Sequence, residues 1–131
     1  MNLHGVYLIL GATDLNRHGL SELLDQAARA GVRMIQLREK SLCDRELLAL
    51  AQAVVKRLAP HRIPLIINDR IDIAAASGAQ GVHLGSDDLP PAAARDLLGA
   101  KALIGLTIHS LDELVRAADE PVNYFGVGPV Y

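Results

Sequence analysis

Ala30-Gly31-Val32-Arg33-Met34-Ile35-Gln36-Leu37 and Ser77-Gly78-Ala79-Gln80-Gly81-Val82-His83-Leu84 are two versions of one joint. Each reads as a small residue, a glycine, an apolar and a polar position, then a short strand ending polar-Leu. A glycine suits the end of a helix, where the backbone commonly turns left-handed. A short apolar run after it suits a strand. Two helix-to-strand joints of one design point to a repeated βα unit, and so to a (β/α) barrel over an open sheet.

Outward from these joints the apolar period switches in a regular order. Val6-Tyr7-Leu8-Ile9-Leu10 reads as a first strand, followed by a polar stretch with Gly11 and Asp14. Leu20, Leu23, Leu24 and Ala27 fall on one helix face, and Gly31 ends that helix. After the strand Met34-Ile35-Gln36-Leu37, a second helix is marked by Leu47, Leu48, Ala51, Val54, Val55 and Leu58 and closes before Pro60. Pro64-Leu65-Ile66-Ile67 gives a third strand and Ile71–Ser77 a short helix. Gly81-Val82-His83-Leu84 is a fourth strand, with a helix from Pro90 and Pro91 to about Leu98. Leu103-Ile104-Gly105-Leu106, a helix along Leu111, Leu114, Val115 and Ala118, and Tyr124-Phe125-Gly126-Val127 complete the pattern. Six strands alternating with five helices, each strand apolar on both faces, predict an α/β protein with a parallel sheet. The expected class is an incomplete (β/α)8 TIM-type barrel. Eight units take roughly 200 to 250 residues, so the chain is expected either to be part of a barrel or to cover its open sheet edge by pairing with another copy.

Composition narrows the function. The 131 residues, 50% of them hydrophobic, support one domain over 1–131 with a real core and are too few for two. Thirteen Lys+Arg against fifteen Asp+Glu leave a net charge of −2, which argues against an electrostatic grip on nucleic acid or anionic lipid. Aromatic residues are few (Tyr7, Tyr124, Phe125 and Tyr131, with no Trp), so base stacking is not expected. The longest apolar runs fall far short of the ~20 residues that span a membrane. The chain opens without a charged-then-apolar leader. One cysteine, Cys43, excludes an internal disulfide and a Cys-based zinc motif and reads as structural. The expectation is a cytoplasmic protein acting on small molecules.

In a barrel the reactive groups sit at the C-terminal ends of the strands. The polar residues follow that rule: Gln36, Arg38, Glu39 and Lys40 after the second strand, Asn68, Asp69 and Arg70 after the third. His83, Asp87 and Asp88 belong to the fourth, Thr107 and His109 to the fifth, and Gly126, Gly128 and Pro129 to the sixth. Gln36, Arg38 and Lys40 share one face at period two, and a guanidinium fork with an ammonium suits phosphate oxygens. An isolated Arg-x-Lys is more often a solvated loop paired to its Glu; carboxylates at the same mouth reverse that preference. Asp69 taken alone fits the N-cap of the helix from Ile71. Asp87-Asp88 likewise fits a plain turn. Together, Asp69 and Asp88 from adjacent strand ends, beside phosphate oxygens, form a common Mg²⁺ environment. His83 reads most simply as a hydrogen-bonded core or barrel-lining residue, and His109 as a flank of the fifth helix. Gly126-Val127-Gly128-Pro129 would let backbone approach a ligand closely.

As a set, these stretches resemble thiamine phosphate synthase: Tyr7-Leu8-Ile9 with Asp14, Gln36-Leu37-Arg38-Glu39-Lys40, Ile67-Asn68-Asp69-Arg70, Gly81-Val82-His83-Leu84-Gly85 with Asp88, and Gly126-Val127-Gly128-Pro129. The resemblance covers the whole chain and about the first two-thirds of the family's barrel. It implies joining a pyrimidine methyl diphosphate to a thiazole phosphate with release of pyrophosphate. By resemblance Gln36, Leu37, Arg38, Glu39, Lys40, Asn68 and Thr107 bind the pyrimidine diphosphate. Asp69 and Asp88 hold Mg²⁺, and Arg38, Lys40 and Thr107 serve the chemistry. Thr107 stands in Gly105-Leu106-Thr107-Ile108-His109 where the family usually has Ser, so a hydroxyl is kept and a methyl added. The thiazole-phosphate loops of the family fall beyond Tyr131, so the donor half-site is the part expected within this chain. Two other readings remain open: a thiazole tautomerase-like relative, which tends to lose the acidic pair and to carry a His where this chain has Gly128, and a non-catalytic diphosphate-binding fragment.

Overall fold

Successive strands of this chain are separated in sequence by helices, and the order in which the strands pair decides what the sheet can become. The computed structural model describes residues 2–129; Met1, Val130 and Tyr131 lie outside it. Its strands are β1 (Tyr7–Leu10), β2 (Met34–Leu37), β3 (Leu65–Asn68), β4 (Gly81–Leu84), β5 (Leu103–Ile108) and β6 (Tyr124–Val127). They pair in strict sequence order, β1 to β6, and every pairing is parallel. Right-handed crossovers between sequential parallel strands place every helix on one side. The sheet therefore curls away from the helices, and its other face becomes the inside of a partial barrel.

The helices are α1 (Ala12–His18), α2 (Leu20–Arg29), α3 (Asp44–Leu58), α4 (Ile71–Ser77), α5 (Pro91–Leu98) and α6 (Leu111–Ala117), with a 3-10 turn at Ala59–His61. Leu24, Leu47, Ala51, Val54, Leu58, Ile73, Ala74 and Ala94 pack onto Ile35, Leu37, Leu65, Ile67, Val82, Leu84 and Ile104 of the sheet's outer face. Each fully buried Leu, Ile or Val contributes about 1.5–3 kcal/mol, so this layer holds the fold. A smaller cluster of Met34, Ile66 and Leu103, with Leu3, Tyr7 and Tyr124 against it, fills the floor on the inner side. Among the described residues no helix is long and apolar enough to cross a membrane.

One expectation needs correction. Among the described residues there are six α-helices, not five: Ala12–His18 is helical where a polar stretch was expected. Only Leu15 of that helix is buried, so it shows no apolar stripe. Its start is fixed by carboxylates instead, with Asp14 Oδ2 accepting from Gly11 N–H at 2.9 Å and Glu39 Oε2 from Ala12 N–H at 2.7 Å. Cys43, read as structural, is exposed at the N-cap of α3, where its backbone N–H donates to Glu46 Oε2 at 3.3 Å.

Candidate active site

The C-terminal ends of the strands open into one cavity of about 720 Å³. Gln36, Arg38, Lys40, Asn68, Asp69, Asp88, Thr107 and His109 all line it, as do Gly126, Gly128 and Pro129. Leu37 and Glu39, expected with them, do not. Leu37 points into the core at 1% exposure. Glu39 turns away to hold α1 and its own loop, accepting from Ser41 Oγ at 2.6 Å, Ser41 N–H at 2.9 Å and Ala12 N–H at 2.7 Å. Those bonds, led by Ser41, lower its pKa to about 2. Period two explains both: residues 36, 38 and 40 share the inner side, and 37 and 39 the other.

Asp69 occupies the sharpest backbone position of the site. Its φ is +64°, uncommon for a residue with a side chain. Arg70 N–H bonds back to Asn68 C=O at 2.7 Å across it, and Asp69 N–H donates to His83 C=O at 2.8 Å. This turn aims the Asp69 carboxylate inward, so Asp69 does not cap α4; Arg70 occupies that position without a side-chain cap bond. Lys40 Nζ lies 3.6 Å from Asp69 Oδ2. Asp88, on the next strand end, accepts from Gly85 N–H at 2.6 Å through Oδ2 and lies within hydrogen-bond reach of Asp69. Burial first, and then the adjacent Asp88 carboxyl, raise the Asp69 pKa, with Lys40 opposing. Strain and like-charge crowding at one residue are features concentrated at functional sites. Arg70 does not serve the cavity: it pairs with Asp72 at 2.7 Å and Asp44 at 2.8 Å and so braces α4 against the start of α3.

Among the described residues no group of three or more His, Cys, Asp or Glu side chains is gathered for a metal. Asp69 and Asp88 supply hard oxygen donors from adjacent strand ends, with Asp87 also on the cavity wall, and the crowding of Asp69 against Asp88 is what a divalent cation would relieve. Such a pair fits Mg²⁺, which keeps several waters and takes further ligands from substrate phosphates.

Below the mouth runs a hydrogen-bonded chain. Gln36 Nε2 donates to Tyr7 Oη at 2.7 Å, the Tyr7 and Tyr124 hydroxyls meet at 2.8 Å, Tyr124 Oη meets His83 Nδ1 at 3.0 Å, and His83 Nε2 meets Thr107 Oγ1 at 2.6 Å. His83 thus lines the barrel, as expected, with 9% exposure. Burial, with the Arg38 charge behind it, lowers its pKa. Burial likewise raises the pKa of both tyrosines. Tyr7 and Tyr124 were not foreseen as site residues. The signal was available in their places on the inward-facing parity of β1 and β6, the same parity that carries Met34 and Gly105 opposite them. His109 flanks α6, with its N–H on Glu113 Oε2 at 2.6 Å, and its Nδ1 meets Gly128 C=O at 2.6 Å.

Comparison with known proteins agrees with this geometry. The family model described as thiamine monophosphate synthase matches residues 6–131. A thiamine-phosphate synthase from Azorhizobium caulinodans is 48% identical over 125 residues, covering 95% of this chain and 59% of that protein. One from Albidiferax ferrireducens is 45% identical, covering 96% and 58%. The chain therefore spans about three-fifths of the length of these relatives. Among solved structures, a thiamine phosphate pyrophosphorylase from Pyrococcus furiosus superposes with a TM-score of 0.82 at 28% identity, covering 95% of this chain and 60% of its own. A 3-dehydroquinate dehydratase from Aquifex aeolicus, at 10% identity and TM-score 0.65, shares the fold alone. The barrel strands, the acidic pair at their ends and a match over nearly the whole chain lead to one conclusion: this chain belongs to the thiamine monophosphate synthase family.

Proposed function

We propose that this chain carries the pyrimidine-diphosphate side of thiamine phosphate synthesis, in which 4-amino-2-methyl-5-hydroxymethylpyrimidine diphosphate and thiazole phosphate give thiamine phosphate and pyrophosphate. The observation that carries the reading is the crowded Asp69–Asp88 pair beside Lys40, in a cavity that Arg38 also lines. When bound between Asp69 and Asp88, Mg²⁺ supplies positive charge to the diphosphate oxygens. Arg38 and Lys40 hold the same oxygens and stabilise the charge that gathers on them in the transition state. Gln36, Asn68 and Thr107 orient the ring. The methylene C–O bond breaks, its electron pair leaves with the diphosphate, and the positive charge left on the methylene spreads into the aminopyrimidine. The thiazole nitrogen lone pair then forms the new C–N bond.

Calorimetric titration with the pyrimidine methyl diphosphate, with and without Mg²⁺, tests this reading. Wild type is expected to bind only with Mg²⁺. Asp69→Asn, which tolerates the same backbone angle, is expected to weaken that binding about tenfold or more, the equivalent of ~1.4 kcal/mol. Equal binding without the metal, or by the variant, would overturn it.

A further inference from the structure

The chain of bonds from Gln36 to Thr107 has a direction, set by counting protons. Each phenol carries one proton, and a neutral imidazole carries one on its two nitrogens. Tyr7 Oη already accepts from Gln36 Nε2. If Tyr7 also accepted from Tyr124, its own proton would be left without a partner in the chain. The sense that uses every proton runs the other way: Tyr7 donates to Tyr124, Tyr124 to His83 Nδ1, and His83 Nε2–H to Thr107 Oγ1. Two ends then face the cavity with fixed and opposite character. Gln36 offers its carbonyl oxygen, an acceptor, and Thr107 offers its hydroxyl proton, a donor.

The surrounding strands are shaped around this bridge. A Cβ at Gly105 would collide with the Tyr124 ring and hydroxyl and with His83 Nδ1. A Cβ at Gly126 would lie 3.2 Å from His83 Cε1 and 3.5 Å from Nε2. Neither glycine has a positive φ, so space for the bridge, and not backbone freedom, is what a side chain there would take. Tyr7 meets Tyr124 edge-on, with ring centroids 5.7 Å apart and planes at 89°, which holds the hydroxyls face to face.

We propose that Tyr7, Tyr124 and His83 are positioning residues that lock the hydrogen-bonding sense of Gln36 and Thr107, so that the site selects an amino-substituted pyrimidine and rejects its oxo counterpart. The proposal rests on the pyrimidine-diphosphate reading above. An exocyclic amino group donates to the Gln36 carbonyl and a ring nitrogen accepts from the Thr107 hydroxyl. In the oxo analogue the amino donor is replaced by an oxygen that would face the Gln36 oxygen. Gln36 can meet it only by flipping its amide, and the bond to Tyr7 opposes the flip. A site built on paired polar groups rejects an analogue that leaves one unpaired.

The test compares wild type with Tyr7→Phe, and with Tyr124→Phe as the second break, in the presence of Mg²⁺. Affinities are measured for the aminopyrimidine methyl diphosphate, its oxo analogue and inorganic pyrophosphate, and the His83 tautomer is read from its ¹⁵N shifts. Wild type is expected to favour the amino compound by about tenfold to hundredfold and to show the Nε2–H tautomer. Tyr7→Phe is expected to bring the two pyrimidines within about threefold of each other by freeing the amide, while pyrophosphate binds as before. An unchanged amino-to-oxo ratio in the variants, a parallel loss of pyrophosphate binding, or an Nδ1–H tautomer in wild type would overturn the proposal. Pyrophosphate binding with no gain from the ring overturns the sorting role and leaves the diphosphate site standing. No Mg²⁺-dependent pyrophosphate binding at all overturns the parent reading, and this one with it.

Discussion

The two faces of β4 differ as sharply as two proteins. Val82 and Leu84 point outward and are fully buried against the helices, whereas Gly81 and His83 point inward, toward Leu103 and the tyrosine bridge. The same alternation runs through β2, where Ile35 and Leu37 join the helix layer and Met34 and Gln36 face the barrel. A parallel strand covered on both sides could satisfy both with aliphatic side chains. This chain does so along the whole outside, whereas on the inside only the floor, with Met34, Ile66 and Leu103, is aliphatic. The outer face carries the stability and the inner face carries the chemistry, so changes on the two sides should fail in different ways.

The largest expected effect lies on the outer face. Leu65→Ala, at a fully buried position, should lose about 3 kcal/mol in urea unfolding through lost burial and a residual cavity. A loss below about 1 kcal/mol would break the contrast. Next comes an inner position with no side chain to lose. Gly105→Ala forces its new methyl onto Tyr124 and His83 and should cost about 1–3 kcal/mol, with the ring preference reduced alongside.

Asp69 sharpens the comparison by reversing the sign. Asp69→Gly removes a strained φ and a crowded carboxylate. It should therefore gain about 1 kcal/mol while losing Mg²⁺-dependent ligand binding. Because the Asp69 pKa is raised in the folded state, its favourable contribution is complete below the unfolded value of 3.8 and is lost as pH rises through the folded one. The advantage of the variant should grow from pH 3.5 toward neutrality in pH-resolved melting; a flat difference would place all of it in the backbone.

The smallest effect belongs to Glu39, which turns away from the cavity and joins no core cluster, holding the start of α1 and its own loop instead. Glu39→Gln should cost about 1 kcal/mol by weakening the hold on α1. A lowered folded pKa gives stability that is present above the unfolded 4.5 and is lost as pH falls through about 2. The difference between wild type and variant should therefore shrink between those limits in acid unfolding.

Local periodicity and the repeated helix-to-strand joint made the strands and five of the helices legible, because their apolar residues lie on faces that sequence spacing reveals. Helix α1 was hidden because Leu15 is its one buried residue and Glu39, 27 positions away, caps its start. The charged mouth was legible because Arg38, Lys40, Asn68, Asp69 and Asp88 sit where strands meet loops. The tyrosine bridge was not. Tyrosine is an ordinary strand residue, and Tyr7 and Tyr124 are 117 positions apart. Only the curl of the sheet, which brings the inner sides of its first and last strands together, gives their hydroxyls a common purpose. Leu37 and Glu39 were drawn into the site by adjacency in sequence, and the alternation of the strand takes them out.

The central claim, that the inner mouth is a metal–diphosphate site, is tested most directly by paramagnetic broadening. Mn²⁺ shares the oxygen-ligand preference of Mg²⁺ and can be titrated with inorganic pyrophosphate into ¹⁵N-labelled protein. The account predicts broadening centred on the amides of Asp69, Gly85 and Asp88, with the helix-packed Leu65 and Val82 much less affected than those strand ends. Broadening centred instead on exposed acidic residues such as Asp44 and Asp112, or none that depends on pyrophosphate, would contradict it.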